Sequence, residues 1–126
     1  MKKSSITALL FLPVFVVLLY SAAVAQSYVV VKNGVVKRYD AKTGAYKVTV
    51  GASRASAASS DGETNAVLMQ SGSVRRYDAK TGAYRGQVGG GKAVGVQVTG
   101  GVIIVTYESG SVRRYDARTG AYKGSN

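Results

Sequence analysis

The sequence contains no cysteine, no histidine and no tryptophan. Without cysteine there is no disulfide, no thiolate nucleophile and no thiolate metal site, so the fold must be held by packing alone. Without histidine the commonest general base and metal ligand is missing. The acidic side chains number only 6: three Asp residues that recur in a repeated segment, together with Asp61, Glu63 and Glu108. That inventory argues against an enzyme and offers no ligand set for a cofactor or a metal. Proline is nearly absent too, and the single one, Pro13, lies among the first 25 residues. Beyond them no long stretch repeats its apolar residues at helical spacing, so an all-β fold is expected.

Those first 25 residues have a pattern of their own. Met1-Lys2-Lys3 is a short positive start, Ile6 to Tyr20 is almost wholly apolar, and Ala23-Val24-Ala25 supplies a small-x-small cleavage site. Together these read as a secretory signal peptide over 1–25, with cleavage after Ala25 leaving residues 26–126 as a secreted or periplasmic protein. If kept, the apolar run from Ile6 to Ala25 would have the length of a bilayer anchor. No second run of that length follows, so no membrane span is expected after cleavage.

Charge is lopsided. The chain has 17 Lys and Arg; removing Lys2 and Lys3 leaves 15 against 6 acidic residues, a net charge of +9 for the remainder. Such a field attracts polyanions, which outside the cell means anionic glycans and similar polymers. The same charge also serves to keep a strand-rich protein soluble.

What the sequence does have is a repeat. Gly34-Val-Val-Lys-Arg-Tyr-Asp-Ala-Lys-Thr-Gly-Ala-Tyr46 returns as Gly72-Ser-Val-Arg-Arg-Tyr-Asp-Ala-Lys-Thr-Gly-Ala-Tyr84 and as Gly110-Ser-Val-Arg-Arg-Tyr-Asp-Ala-Arg-Thr-Gly-Ala-Tyr122, at a period of 38 residues. A period of this size marks a supersecondary unit copied whole. Within the second unit, β-rich runs alternate with turns: Ala66 to Gln70, Ser73 to Asp78 and Ala83 to Val88 form three strands in hairpin sequence. A weaker strand precedes them, Ser53 to Ser59 in the second unit and Lys92 to Val98 in the third. Each unit is therefore a four-stranded meander, and the units run over about 27–50, 53–88 and 92–124. The first begins near Ser27 with Tyr28-Val29-Val30-Val31 and lacks its first strand, its outer partner, which leaves about 11 strands in all.

The segment Ser73-Val-Arg-Arg-Tyr-Asp-Ala-Lys-Thr-Gly-Ala-Tyr-Arg-Gly-Gln-Val88 resembles the third and fourth strands of β-propeller blades. It is similar to bacterial exported repeats of the NHL-like, YVTN-like and quinoprotein-like kinds, in which an aromatic-Asp pair, a short turn and Thr-Gly recur. Tryptophan-aspartate repeats are more distant, with Tyr77-Asp78 in place of Trp-Asp. The resemblance implies three tandem blades and, because propellers host many unrelated activities, architecture rather than a particular function. The tryptophan-containing docking motif of cofactor-binding quinoproteins is absent, so no quinone cofactor is expected. Three units are too few for an ordinary ring of four to eight blades. Either a second copy completes the ring, as two chains would with six blades, or the chain is a fragment of a larger propeller, quinoprotein-like or lactonase-like.

Several residues invite a role. Asp40, Asp78 and Asp116 each open an Asp-Ala-Lys/Arg-Thr-Gly turn whose carboxylate can accept backbone N–H groups while Gly44, Gly82 or Gly120 takes a positive φ. These are structural turn residues. Arg38, Arg76 and Arg114 stand where propeller strands carry an apolar residue, and Arg75 and Arg113 precede two of them. Either Arg76 and its equivalents reach Asp78 or a neighbouring unit and stack on tyrosine, or all three form a regular guanidinium array that, with Arg75 and Arg113, binds a polyanion. Tyr39, Tyr77, Tyr115, Tyr46, Tyr84 and Tyr122 are expected mostly between sheets, although repeated Tyr and Arg could also line sugar sites in a lectin-like propeller. Gly89-Gly90-Gly91-Lys92 lacks the Gly-Lys-Ser/Thr element and the following helix of a phosphate loop and reads as a link. Ser53 to Glu63, small and polar, is expected to be an outer strand or a loop. The function anticipated is that of a non-enzymatic binding scaffold, self-associating and basic, with a carbohydrate-binding lectin as the alternative.

Overall fold

Period-2 alternation, β-branched residues and closely spaced turn signals dictate short antiparallel strands, and the computed structural model, which describes residues 27–50 and 53–126, contains eleven of them. They are β1 (Ser27–Lys32), β2 (Val35–Asp40), β3 (Tyr46–Val50), β4 (Ala55–Ser60), β5 (Thr64–Met69), β6 (Val74–Asp78), β7 (Tyr84–Val88), β8 (Ala93–Thr99), β9 (Val102–Tyr107), β10 (Val112–Asp116) and β11 (Tyr122–Ser125). Consecutive strands pair into three meander sheets, β1-β2-β3, β4-β5-β6-β7 and β8-β9-β10-β11. The fold is all-β, with three sheets of three, four and four strands. The signal peptide expected over 1–25 lies outside the described residues.

The first hairpin differs from the other two. Asn33 and Gly34 have φ of 55° and 77°, a two-residue turn with both central residues left-handed, which matches the twist of the flanking strands. Val31 faces Val36 across it, whereas in the second sheet Leu68 faces Val74. The repeat is thus one residue shorter on the β1 side, and a shift of one residue moves a strand's side chains to its other face. As a result Val29 and Val31 pack toward the second sheet, while Tyr28 and Val30 lie on the free face, 43% and 41% exposed.

Two apolar layers hold the sheets together. Val36 and Val50 of the first sheet meet Ala55, Val67, Met69 and Tyr77 of the second. Ala66, Leu68, Val74 and Val88 from the opposite face of that second sheet meet Ile103, Val105, Tyr107, Tyr115 and Ala117 of the third. The middle sheet is covered on both sides, which explains why every residue of β5 is buried. Each outer sheet has one face without a partner among the described residues.

The place of β4 corrects the expectation of an outer strand or loop. β4 contacts β1 and β8, the strands through which the sheets approach one another, so it lies at the edge where the three sheets converge. By the same token, the position that no described strand fills in the first sheet is at this inner edge rather than at the outside. Ala58 packs against the first apolar layer and Ala57 against the second. Backbone bonds tie the junctions as well, since the Gly34 carbonyl accepts from the Ala55 N–H (2.9 Å) and the Gly72 carbonyl from the Ala93 N–H (3.0 Å).

Candidate functional site

The motif that recurs three times builds the same turn each time. Asp40 Oδ1 accepts from the N–H groups of Lys42 (2.8 Å) and Thr43 (2.9 Å), Asp78 Oδ1 from Lys80 (2.8 Å) and Thr81 (2.9 Å), and Asp116 Oδ1 from Arg118 and Thr119 (both 2.9 Å). Gly44, Gly82 and Gly120 have φ of 75°, 79° and 82°, the left-handed conformation that lets each N–H return to its Asp carbonyl. These backbone hydrogen bonds hold all three carboxyls below the usual Asp value, with Thr43, Thr81 and Thr119 the largest contributors. The carboxylates are committed to turns and do not converge.

Two arginines cross from one sheet to the next. Arg76, only 7% exposed, sends Nη1 to the carbonyls of Ala117 (3.2 Å) and Arg118 (3.0 Å) and Nη2 to those of Arg85 (2.6 Å) and Thr119 (3.4 Å). Arg38 makes the same crossing one sheet earlier, with Nη2 donating to the Lys80 carbonyl at 2.9 Å. Arg85 is in the same sheet as Arg76; the other acceptors are carbonyls of the next unit's Asp turn. Burial lowers the Arg76 pKa from its ordinary value, and Nε of both arginines is buried without a partner. Gly86, paired with Arg76 at a β-bulge, leaves room for the guanidinium: a Cβ there would lie 3.3 Å from Nη2.

Of the two readings of these arginines, the geometry matches contact with a neighbouring unit for Arg38 and Arg76 and does not form an array of three. Arg38 and Arg76 are turned into the junctions, and Arg114 alone of the three is exposed. Arg76 reaches the neighbouring sheet, but it meets carbonyls there rather than a carboxylate or a tyrosine ring. The ion pair of Asp78 is with Arg85, and the cation–π contact belongs to Arg113, 5.1 Å above the Tyr107 ring. The tyrosines also divide. Tyr77 and Tyr115 are buried between sheets, whereas Tyr46, Tyr84 and Tyr122 are 56%, 57% and 59% exposed on the outermost strands, each tilted against the Tyr of its own sheet.

The meander topology gathers most of the carboxylates at one end of the stack, where Lys42, Lys80 and Arg118 also lie, and leaves the other end with basic residues and few acidic ones. Loops 41–45, 61–63, 79–83 and 117–121 share one end, where Asp40, Asp61, Glu63, Asp78 and Asp116 lie. Loops 33–34, 70–73, 89–92 and 108–111 share the other, whose one acidic side chain is Glu108. Arg75 and Arg113 sit near the start of their strands at this second end, beside Arg54 and Lys92. Arg54 and Arg75 line a cleft of about 530 Å³ with Ser53, Met69, Gln70 and Ser71. Arg54 and Lys92 lie outside the copied motif and were not legible from it, although their separation equals the repeat period and gave a signal. Both hold positive φ, 74° and 64°, in the links between sheets.

Three four-stranded meanders, or their parts, fanning from a common inner edge are the geometry of propeller blades. BamB from Moraxella catarrhalis superposes with a TM-score of 0.64 at 22% identity, covering 80% of this chain and 33% of that one. The WD40 repeats of RRP9 match with a TM-score of 0.64 at 14% identity over 79% of this chain and 34% of theirs. The chain has a β-propeller repeat fold. A computationally designed protein, Ika4, matches with a TM-score of 0.64 at 16% identity, and there 80% of this chain covers 66% of the other. The chain thus spans about a third of the natural propellers named here. No protein-family model matches it, and no curated protein matches its sequence. At these identities the likeness fixes the propeller fold and leaves the site to be argued from its own residues. Among the described residues no helix is long and apolar enough to cross a membrane.

Proposed function

We propose that this protein is an exported, non-catalytic propeller scaffold that associates with further copies of itself and binds anionic polymers through its basic end. The reading rests above all on the uneven placement of acidic side chains: Arg54, Arg75, Lys92 and Arg113 share one end of the blade stack with one acidic side chain, Glu108, while the other five acidic side chains lie at the opposite end. Self-association is supported by the two end faces, one of which leaves Tyr28 and Val30 more than 40% exposed. Export is supported by the charge, apolar run and cleavage pattern of residues 1–25. The absence of Cys, His and Trp from the sequence supports a binding rather than a catalytic role.

The test is a titration with heparin, a sulfated glycan, across a salt series. Binding that weakens steeply with salt, and that falls when the four basic residues are replaced by Ala, is the expected result. Absence of binding at low salt would overturn the polyanion reading. A lectin-like role is the second reading, favoured by the three exposed tyrosines at equivalent places and by a cleft of about 810 Å³ between the second and third blades, lined in part by Asp61, Glu63, Arg85 and Asp116. Salt-insensitive binding of a neutral sugar would select it.

A further inference from the structure

The two internal blade junctions share a set of contacts, and among the described residues each outer blade carries one half of that set without a partner. On the donor side, Arg76 is 7% exposed beneath the next blade, while Arg114, its equivalent, is exposed. Gly34 and Gly72 are overlaid by the following blade, where a Cβ would lie 3.1 Å from the Arg54 nitrogen and 2.7 Å from the Lys92 nitrogen; at Gly110 there is nothing within 4 Å. On the acceptor side, Ala79 and Ala117 of the second and third Asp turns are 0% and 1% exposed beneath the preceding blade, whereas Ala41 of the first turn is exposed. Gly124 already opens room beside Arg114, with a Cβ there 3.0 Å from Nη2, as Gly86 does beside Arg76.

We infer that copies of this chain join head to tail, with Arg114 of one copy donating to the Ala41, Lys42 and Thr43 carbonyls of the next. This inference rests on the proposed self-association and supplies its contact. The occupant is a second copy because the two exposed halves are sequence repeats of halves that already fit each other twice within the chain. The apolar surfaces agree: Ile104 and Val112 on the last blade correspond to the buried Ala66 and Val74, and Tyr28 and Val30 on the first blade lie where a preceding blade would cover them. Donor and acceptor lie on opposite faces, so the contact is heterologous. It closes into a ring if the rotation permits, and two copies would supply six blades.

The experiment is light scattering coupled to size exclusion on the wild-type protein and on variants at each half. Arg114→Ala removes the donor, and Ala41→Arg places a bulky cation on the acceptor turn; neither side chain is buried within one copy. Lys80→Ala, the same loss of charge at an exposed position on an internal turn, is the control, and circular dichroism verifies that each variant folds. The wild type and Lys80→Ala are expected to be oligomeric, and the two end variants to dissociate with Kd raised at least tenfold. An equimolar mixture of Arg114→Ala and Ala41→Arg should recover a 1:1 pair, since each retains the half that the other has lost. Unchanged assembly by both end variants would overturn the latch while leaving self-association through another surface. A monomeric wild type would overturn both.

Discussion

Arg76 of the second blade lies directly over Gly120 of the third: a Cβ on Gly120 would stand 3.0 Å from its Nη2 and 3.1 Å from its Nε. The guanidinium has little freedom to withdraw, because carbonyls hold it on both sides. Gly44 and Gly82 have nearly the same φ but open space above them. Gly44→Ala should therefore cost only the left-handed conformation, about 1 kcal/mol. Gly120→Ala should add a packing conflict and cost about 2 to 3 kcal/mol in all. Urea unfolding of the two variants checks the difference, and equal losses would show that the Arg76 contact is not tight.

Arg76 and Arg114 have the same neighbours in sequence and opposite surroundings. Replacing Arg76 by Ala leaves buried carbonyls without their charged donor and should cost about 3 kcal/mol. Arg114→Ala, at an exposed position, should change the stability of a single copy by less than about 0.5 kcal/mol. Chemical denaturation at a concentration low enough to keep the chain monomeric separates the two, and a large loss from Arg114→Ala under those conditions would contradict the exposed position of its side chain.

The three Asp turns make the fold acid-sensitive. Each carboxyl titrates below its ordinary value of 3.8 in the folded protein because backbone N–H groups stabilise its charged form. A depressed folded pKa contributes stability that is present above the unfolded pKa and is lost as pH falls through the folded one. Thermal midpoints should thus be level near neutrality and decline below about pH 4. The triple variant Asp40→Asn, Asp78→Asn, Asp116→Asn should show a flatter decline.

At the alkaline end the relevant group is Tyr107. Burial, together with its 2.9 Å hydrogen bond to the Tyr115 hydroxyl, pushes it from 10.0 up to about 12. A raised folded pKa contributes stability that is complete below the unfolded value, and this is lost as pH rises from 10.0 toward about 12. Tyr107→Phe should remove that loss, as read from unfolding midpoints followed by circular dichroism. An identical alkaline profile in wild type and variant would exclude Tyr107 as the titrating group.

The basic end makes a quantitative forecast. Each of Arg54, Arg75, Lys92 and Arg113 that contacts a phosphate or sulfate should contribute about 0.7 to 0.9 to the slope of log affinity against log salt. Single Ala variants at these positions should each flatten the slope by up to that amount with heparin as the probe, while Arg76→Ala should leave it unchanged. A slope insensitive to all four would place the anion contacts elsewhere.

Much of this was legible in the residues themselves. The 38-residue period fixed three units, alternating apolar and polar residues fixed the strands, and Asp-Ala-Lys/Arg-Thr-Gly fixed the turns, because each is a local property of the chain. Other features depended on what lies across a junction. Near-identical copies cannot distinguish Arg76 from Arg114, since the difference is whether another blade follows. Nor could the repeat distinguish the buried Tyr77 from the exposed Tyr84, because exposure follows from which strand is outermost. The inner place of β4 was hidden for a related reason: its small residues look weak as a strand until three sheets are seen to converge on it. Sequence by itself determined the blade, a unit closed by short-range hydrogen bonds and turns. Only the tertiary structure decided how blades face one another, because that depends on which side chains and carbonyls packing leaves without a partner.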